Sequence, residues 1–340
     1  MTWAACRAWA RRTAVVLALT TVCGAVLTSV PSVQRVSVPV RLLVDRASNP
    51  LVGIPFYVDP TSSAAIAANE AVPRSPELDL IAGTATARWF DEKTAVGSAA
   101  AAARGYVSAA ADAEAMPVVA IYGIPHRDCG SYSAGGLGSA EEYRSWITEL
   151  ARGFGPYPVT IIVEPDAITS ADCLAIGAQH ERTELLRFAV DTFAQNSGAV
   201  VYLDAGHSRW LSPQTLAQRL EAAGIAHAHG FSLNVSNFFG TAEEADFGEA
   251  VSELTNGARY VIDTSRNGVG PAAEEPLAWC NPPGRALGSA PSAETGYPHA
   301  DAYLWIKRPG ESDGNCRPGD PSSGHFYGSY AIDLVRNRPS

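Results

Sequence analysis

A short apolar run that ends in a polar cluster recurs along this sequence, and that recurrence limits the folds open to it more than any other feature. The run 51–58 leads to Asp59-Pro60, 85–90 meets Asp91 just after Arg88-Trp89, and 118–122 leads to His126-Arg127-Asp128. Further on, 159–163 leads to Glu164-Pro165-Asp166, 200–203 to Asp204-Ala205-Gly206-His207, and 231–233 to Asn234 and Asn237. The runs 260–262 and 302–306 lead to Asp263-Thr264-Ser265-Arg266-Asn267 and to Lys307, Glu311 and Asp313. Stretches of helical character lie between them: Ala-rich 98–115; 140–152, with Tyr143, Ile147 and Leu150 at helical spacing behind a Ser139 cap; then 177–196, 213–223 and 242–254. Strands that are apolar throughout and alternate with helices imply a parallel sheet covered on both faces. Seven or eight such units can close into a β/α barrel, whose active sites sit at the C-terminal ends of the strands, where the polar clusters fall. An open doubly wound sheet is the alternative, but no GxGxxG turn follows the first strand.

No internal repeat or long linker divides the chain. The Pro/Gly-rich stretch 281–298 reads as a surface loop, so 46–340 reads as one domain. Arg7, Arg11 and Arg12 before the apolar run 13–30 read as a secretory leader within residues 1–45, with an uncleaved membrane anchor as the alternative. Four cysteines lie beyond it, Cys129, Cys173, Cys280 and Cys316, which suits two disulfides in an exported chain and leaves three pairings open. A net charge of −10 argues against nucleic acid or anionic membrane as the main partner and suits a neutral substrate. No obligate protein partner is evident, and a monomer is expected.

The strand-end clusters supply Asp128, Glu164, Asp166, Asp204, Asp263, Glu311 and Asp313, with Arg127, Arg266 and Lys307 beside them. Each holds at most one His, so a metal centre is not expected, and neither G-x-S-x-G nor a P-loop is present. No cofactor is implied. Carboxylates with Trp nearby match the needs of glycoside hydrolysis: one acid protonates the leaving oxygen, a second carboxylate activates water or attacks carbon, and indole faces suit the C–H face of a pyranose.

Six ordered motifs sharpen this reading. The segment Tyr122-Gly-Ile-Pro-His-Arg-Asp-Cys-Gly130 resembles the Y-x-x-P-x-R-D-C signature of glycoside hydrolase family 6, the endoglucanases and cellobiohydrolases. Val163-Glu-Pro-Asp166, Asp204-Ala-Gly-His207 with Trp210, Asp263-Thr-Ser-Arg-Asn-Gly268, Trp279-Cys-Asn281 and Trp305-Ile-Lys-Arg-Pro-Gly-Glu-Ser-Asp-Gly314 resemble the same family in the same order. The resemblance runs from about Asn49 to the C-terminus. It implies an α/β fold, a distorted, TIM-like parallel β/α barrel of about seven strands, and hydrolysis with inversion at the anomeric carbon. It makes Asp166 the general acid, Asp128 a neighbour that helps keep it protonated, Asp313 the base, and Tyr122 a residue that crowds the reacting sugar. Trp89, Trp210 and Trp279 become stacking platforms, and His207, Asn237, Lys307 and Glu311 partners for sugar hydroxyls. The implied disulfides are Cys129–Cys173 and Cys280–Cys316.

Three positions depart from the family pattern. Gly123 stands where some members carry Asp, Phe238 where Tyr is common, and Ala134 where some have a water-holding Ser. Several residues have plainer expectations. Asp204 and Asp263 are expected to be structural, paired with Arg266 or His207. Glu164 is a structural neighbour of Asp166, Arg127 and Arg266 are ion-pair partners, and Trp146 and Trp305 are core. Cys129 to Ala140, and Asp313 onward, look too short to roof a tunnel. The expected function is therefore a secreted endo-β-1,4-glucanase acting on cellulose-type glucan or cello-oligosaccharide. A cellobiohydrolase or other β-glucan hydrolase is the alternative, or, from another class, a non-catalytic glucan-binding protein.

Overall fold

The structure is a computed structural model and describes residues 48–273 and 276–339. The expected leader lies outside the described residues, and no helix among these is long and apolar enough to cross a membrane.

Seven strands form one sheet, parallel throughout and ordered as in the sequence. They are β1 (Arg88–Asp91), β2 (Val118–Tyr122), β3 (Val159–Val163), β4 (Ala199–Asp204), β5 (Gly230–Leu233), β6 (Arg259–Asp263) and β7 (Ala300–Leu304). Side chains alternate in direction along each strand. Val118, Ala120, Ile162, Tyr202, Val261 and Ala302 fill the inside of the curled sheet. Val119, Ile121, Ile161, Val163, Leu203 and Ile262 face outward into the core shared with the helices. The curl does not close by strand pairing: β7 and β1 meet through one main-chain bond, Ala87 N–H to the Trp305 carbonyl at 2.9 Å, and through Trp89 Nε1–H to the Ile306 carbonyl at 2.8 Å. This is the distorted, single-domain barrel expected from the resemblance.

Helices α1 (Ser63–Glu70) and α2 (Pro76–Ala82) precede β1. The crossovers that follow are α3 (Val96–Asp112), α4 (Ala140–Phe154), α5 (Ile176–Phe193), α6 (Pro213–Ala222) and α7 (Thr241–Leu254), and α8 (Gly328–Arg336) follows β7. The expected helices 98–115, 140–152, 177–196, 213–223 and 242–254 correspond to α3 through α7. In α4, Ser139 Oγ accepts the Glu142 N–H at 3.1 Å, the S-x-x-E capping arrangement. Tyr143, Trp146, Ile147, Leu150 and Phe154 bury its inner face completely, each large apolar group contributing roughly 2–3 kcal/mol. Trp146 is core, as expected, and so is Trp305.

Two features differ from the sequence reading. The run 51–58 is not a strand: its backbone pairs only at the Phe56–Met116 bridge, because Pro55 offers no N–H and Gly53 turns the chain at φ +79°. The stretch 281–298 is irregular but not wholly superficial, since Leu287 packs with α1, α2 and α8 and donates to the Leu334 carbonyl.

Several glycines are set by close approach, two of them at or near the sheet. A Cβ on Gly123 would lie 2.8 Å from the buried Trp146 ring, so any larger residue there would have to displace that ring. A Cβ on Gly230, in β5, would lie 1.8 Å from the Arg259 carbonyl oxygen on β6. Backbone cannot move aside within a paired sheet, so Gly230→Ala is expected to lower the unfolding free energy by about 3 kcal/mol or to abolish folding. Chemical denaturation of the purified variant measures this.

Candidate active site

Every strand of a parallel sheet ends on the same side, so the recurrent polar clusters meet there. They line a cleft of about 740 Å³. All of the residues expected to act or to bind sugar, namely Asp166, Asp313, Asp128, Tyr122, Trp89, His207, Trp210, Asn237, Trp279, Lys307 and Glu311, lie on its wall.

Asp166 follows β3 by three residues and has a left-handed backbone, φ +68°. Its N–H donates to Asp204 Oδ1 at 2.8 Å, and its carbonyl accepts Ser170 Oγ–H at 2.7 Å. Burial, joined by the negative charges of Asp204 and Asp128, raises the Asp166 carboxyl well above its ordinary value, and Lys307 opposes them. Asp128 is half-buried, its Oδ2 accepting the Ser133 N–H at 2.8 Å. Burial raises its carboxyl too, against that bond and the charge of Arg127.

Asp313 has the opposite surroundings. Its Oδ2 takes Arg266 Nη1 at 2.7 Å and the Asn281 N–H at 3.0 Å, and its Oδ1 lies 3.0 Å from Lys307 Nζ. Burial works against ionisation, but Arg266 and Lys307 outweigh it and hold the carboxyl below its ordinary value. Arg266 is fully buried and lies over the Phe238 ring, 4.3 Å from its centroid. The phenyl ring at this departure from the family pattern thus offers an apolar face to a buried cation.

Asp204 and Asp263 do not make the pairings expected of them. Asp204 accepts the N–H groups of Asp166 and Gly206 and the Ser232 hydroxyl. Asp263 accepts the N–H groups of Ser236, Ser265 and Lys307. Backbone amides satisfy these carboxylates, which leaves Arg266 for Asp313. Burial raises Asp204 to about 7 against its hydrogen bonds. Glu164 spans β3 to β2 by accepting the N–H groups of Gly123 and Ile124, each at 3.1 Å, and burial raises it to about 7. Arg127 is an ion-pair partner as expected, joined to Glu92 at 2.5 Å.

The aromatic groups are set in layers. Tyr122 meets Trp89 edge-on at 5.0 Å and carries the Arg127 guanidinium 4.1 Å above its ring. His207 lies 4.3 Å from Phe239 and 5.2 Å from Trp210. Burial and Arg209 push His207 down to about 4, so its ring is neutral at neutral pH. Trp210 and Trp279 are 40% and 39% exposed, unusual for indoles and suited to receiving a flat apolar face. Asn237 donates to the Val235 carbonyl, and Glu311 bonds Ser63 Oγ and pairs with Arg308 at 2.7 Å. Lys307 and Glu311 thus reach the cleft already ion-paired.

Both disulfides implied by the resemblance are present, Cys129–Cys173 and Cys280–Cys316. The short segments expected to leave the cleft unroofed do meet at one point: Ser133 Oγ lies 2.8 Å from Ser323 Oγ, and Tyr132 packs on Trp279 at 5.6 Å. Ala134 lines the cleft without a hydroxyl. Glu92, Arg209, Ser323 and His325 also line it and were not singled out from sequence. Glu92 could have been found, since it directly follows the last residue of a strand. The Ser322–His325 turn carries no comparable signal.

Comparison with known proteins agrees with this geometry. The sequence profile of Glycosyl hydrolases family 6 matches residues 51–338. Endoglucanase A of Cellulomonas fimi is 40% identical over 289 residues, and Endoglucanase A of Thermobispora bispora is 44% identical over 291. Each alignment takes in 83% of this chain, which spans 61% and 62% of those two proteins' lengths. The solved structure of the endoglucanase Cel6 from Mycobacterium tuberculosis, in complex with methyl-cellobiosyl-4-deoxy-4-thio-β-D-cellobioside, is 55% identical with a TM-score of 0.84, covering 85% of this chain and 99% of that one. The chain therefore belongs to family 6 of the glycosyl hydrolases.

Proposed function

We propose that this chain is a secreted endo-β-1,4-glucanase that hydrolyses internal bonds of a cellulose-type glucan with inversion of anomeric configuration. The observation that carries this reading is the contrast between two carboxyls in one cleft. Burial and anionic neighbours raise the proton affinity of Asp166, while two cations lower that of Asp313. Opposite environments on like groups are how an acid and its anionic partner are told apart.

Asp166 donates its proton to the leaving glycosidic oxygen. Water attacks the anomeric carbon from the opposite face, the role that separates inversion from retention. Asp128 keeps Asp166 protonated. Asp313 takes the water's proton, directly or through further waters, with Arg266 and Lys307 orienting its oxygens. Tyr122 presses on the reacting sugar from beside Trp89. Trp89, Trp210 and Trp279 stack on pyranose faces, and His207, Asn237, Lys307 and Glu311 bond hydroxyls. The glucan reading draws support from the cello-oligosaccharide analogue bound by the similar Mycobacterium tuberculosis enzyme. Secretion draws support from the two disulfides. The contact between Ser133 and Ser323 favours a second reading, an end-acting cellobiohydrolase, because a bridged cleft admits a chain by its end.

On carboxymethylcellulose, Asp166→Asn is expected to slow reducing-end release about a thousandfold. Equal rates from the variant and the unaltered protein would sink the acid role. An α-anomer seen first by NMR supports inversion, and a fall in viscosity that outpaces sugar release supports endo over exo cleavage.

A general acid works only while protonated, so activity is lost as pH rises through the elevated value of Asp166. Asp128→Asn removes one anion that elevates it. The alkaline limb of the kcat profile is then expected to move to lower pH; a limb that stays or rises contradicts the arrangement.

Asp313 has a lowered proton affinity, so its ion pairs stabilise the fold above the ordinary carboxylate range, and that stability is lost as pH falls through the depressed value. Asp313→Asn leaves buried Arg266 without its counter-ion and is expected to cost about 3 kcal/mol in denaturant unfolding at neutral pH.

A further inference from the structure

Asp128 and Asp166 sit on different loops, after β2 and after β3, and the mechanism depends on their closeness. The loop after β2 is strained. His126, Asp128 and Cys129 have φ of +58°, +56° and +49°, a left-handed conformation that costs non-glycine residues of order 1 kcal/mol each and persists only when surrounding contacts enforce it. One such contact is the disulfide Cys129–Cys173, which joins this loop to the one after β3.

The other is a buried cation. Arg182, inside α5, is 3% exposed and has no ion-pair partner among the described residues. Burial lowers its proton affinity, and the negative charge of buried Glu164, which it does not contact, opposes that. Its Nη2 donates to the carbonyls of His126 at 2.7 Å and Pro125 at 3.2 Å. Its Nη1 reaches Ser170 Oγ at 3.4 Å, and that hydroxyl donates to the Asp166 carbonyl at 2.7 Å. Its Nε makes no hydrogen bond. A guanidinium buried without a carboxylate is expensive, yet here its fork spans both carboxylate-bearing loops at the residue whose backbone is strained. Lysine, with a single ammonium, cannot make both contacts in fixed geometry.

Resting on the acid role proposed for Asp166, we infer that Arg182 is a positioning residue: it clamps the loop of Asp128 against the loop of Asp166 and so sets the spacing of the two carboxyls. The groups facing Asp166 are Asp204 from β4, Asp128 and Tyr122 from β2 and its loop, and Lys307 from beyond β7. Of these, Asp128 is the one whose loop Arg182 grips.

The test is Arg182→Lys in the full chain, which keeps the charge and removes the fork. On carboxymethylcellulose kcat is expected to fall about tenfold with KM little changed. The alkaline limb should move to lower pH, in the direction given by Asp128→Asn but less far. A dinitrophenyl β-cellobioside, whose leaving group needs no proton, should be cleaved at close to the unaltered rate. Ser170→Ala, which cuts the link to the Asp166 carbonyl without touching the buried charge, should show the same pattern more weakly and serves if Arg182→Lys does not fold. A lowered melting temperature with an unmoved pH profile and equal losses on both substrates would overturn the inference and leave Arg182 a purely structural residue. Asp166→Asn assayed alongside separates the two claims: if it cleaves the glucan normally, the acid role fails and not the clamp.

Discussion

Buried carboxylates that accept main-chain amides hold this cleft together. Glu164, at the end of β3, takes two N–H groups from the loop after β2. Asp204, at the end of β4, takes Asp166 from the loop after β3 and the Ser232 hydroxyl from β5. Asp263, at the end of β6, takes Ser236 from the loop after β5 and Lys307 from the segment after β7. Each stitches its own strand end to a neighbour's, and together they run around the rim. A carboxylate sealed from water must be satisfied or it will protonate. Loops so anchored cannot drift without exposing that cost, which lets irregular backbone carry side chains to fixed places.

The same rim sorts the remaining aspartates. Anions dominate around Asp166 and cations around Asp313, although both are aspartates of one cleft and both feel Lys307. The partition follows from what the neighbouring loops contribute: the motif around Asp128 brings a second carboxylate, and the motif around Asp263 brings Arg266 three residues later. Proton affinity in this cleft is thus a property of the assembled rim rather than of any one segment.

Much of this was legible before any coordinates. Apolar runs of strand length ending in carboxylates gave the parallel sheet and the face on which chemistry gathers, because each signal is local. The partners of Asp204 and Asp263 were not legible, since the groups they bind are backbone amides on other loops and amides carry no sequence signature. Arg182 was hidden for a similar reason: an arginine midway along an amphipathic helix looks like any solvated charge until the loops it supports are in place. Helices α1, α2 and α8 escaped notice because seven to nine residues give too few turns for periodicity to show. Leu51–Val58 misled in the other direction, its apolar composition suggesting a strand that Pro55 and Gly53 forbid.

The seam between β7 and β1 gives the rim its contour. Ala87, just before β1, bonds the carbonyl of Trp305, just after β7, so the first strand begins where the last one stops. The four residues of β1 then climb roughly 13 Å at strand rise beyond that junction. The strand ends therefore follow a spiral with one step at this seam rather than a level ring.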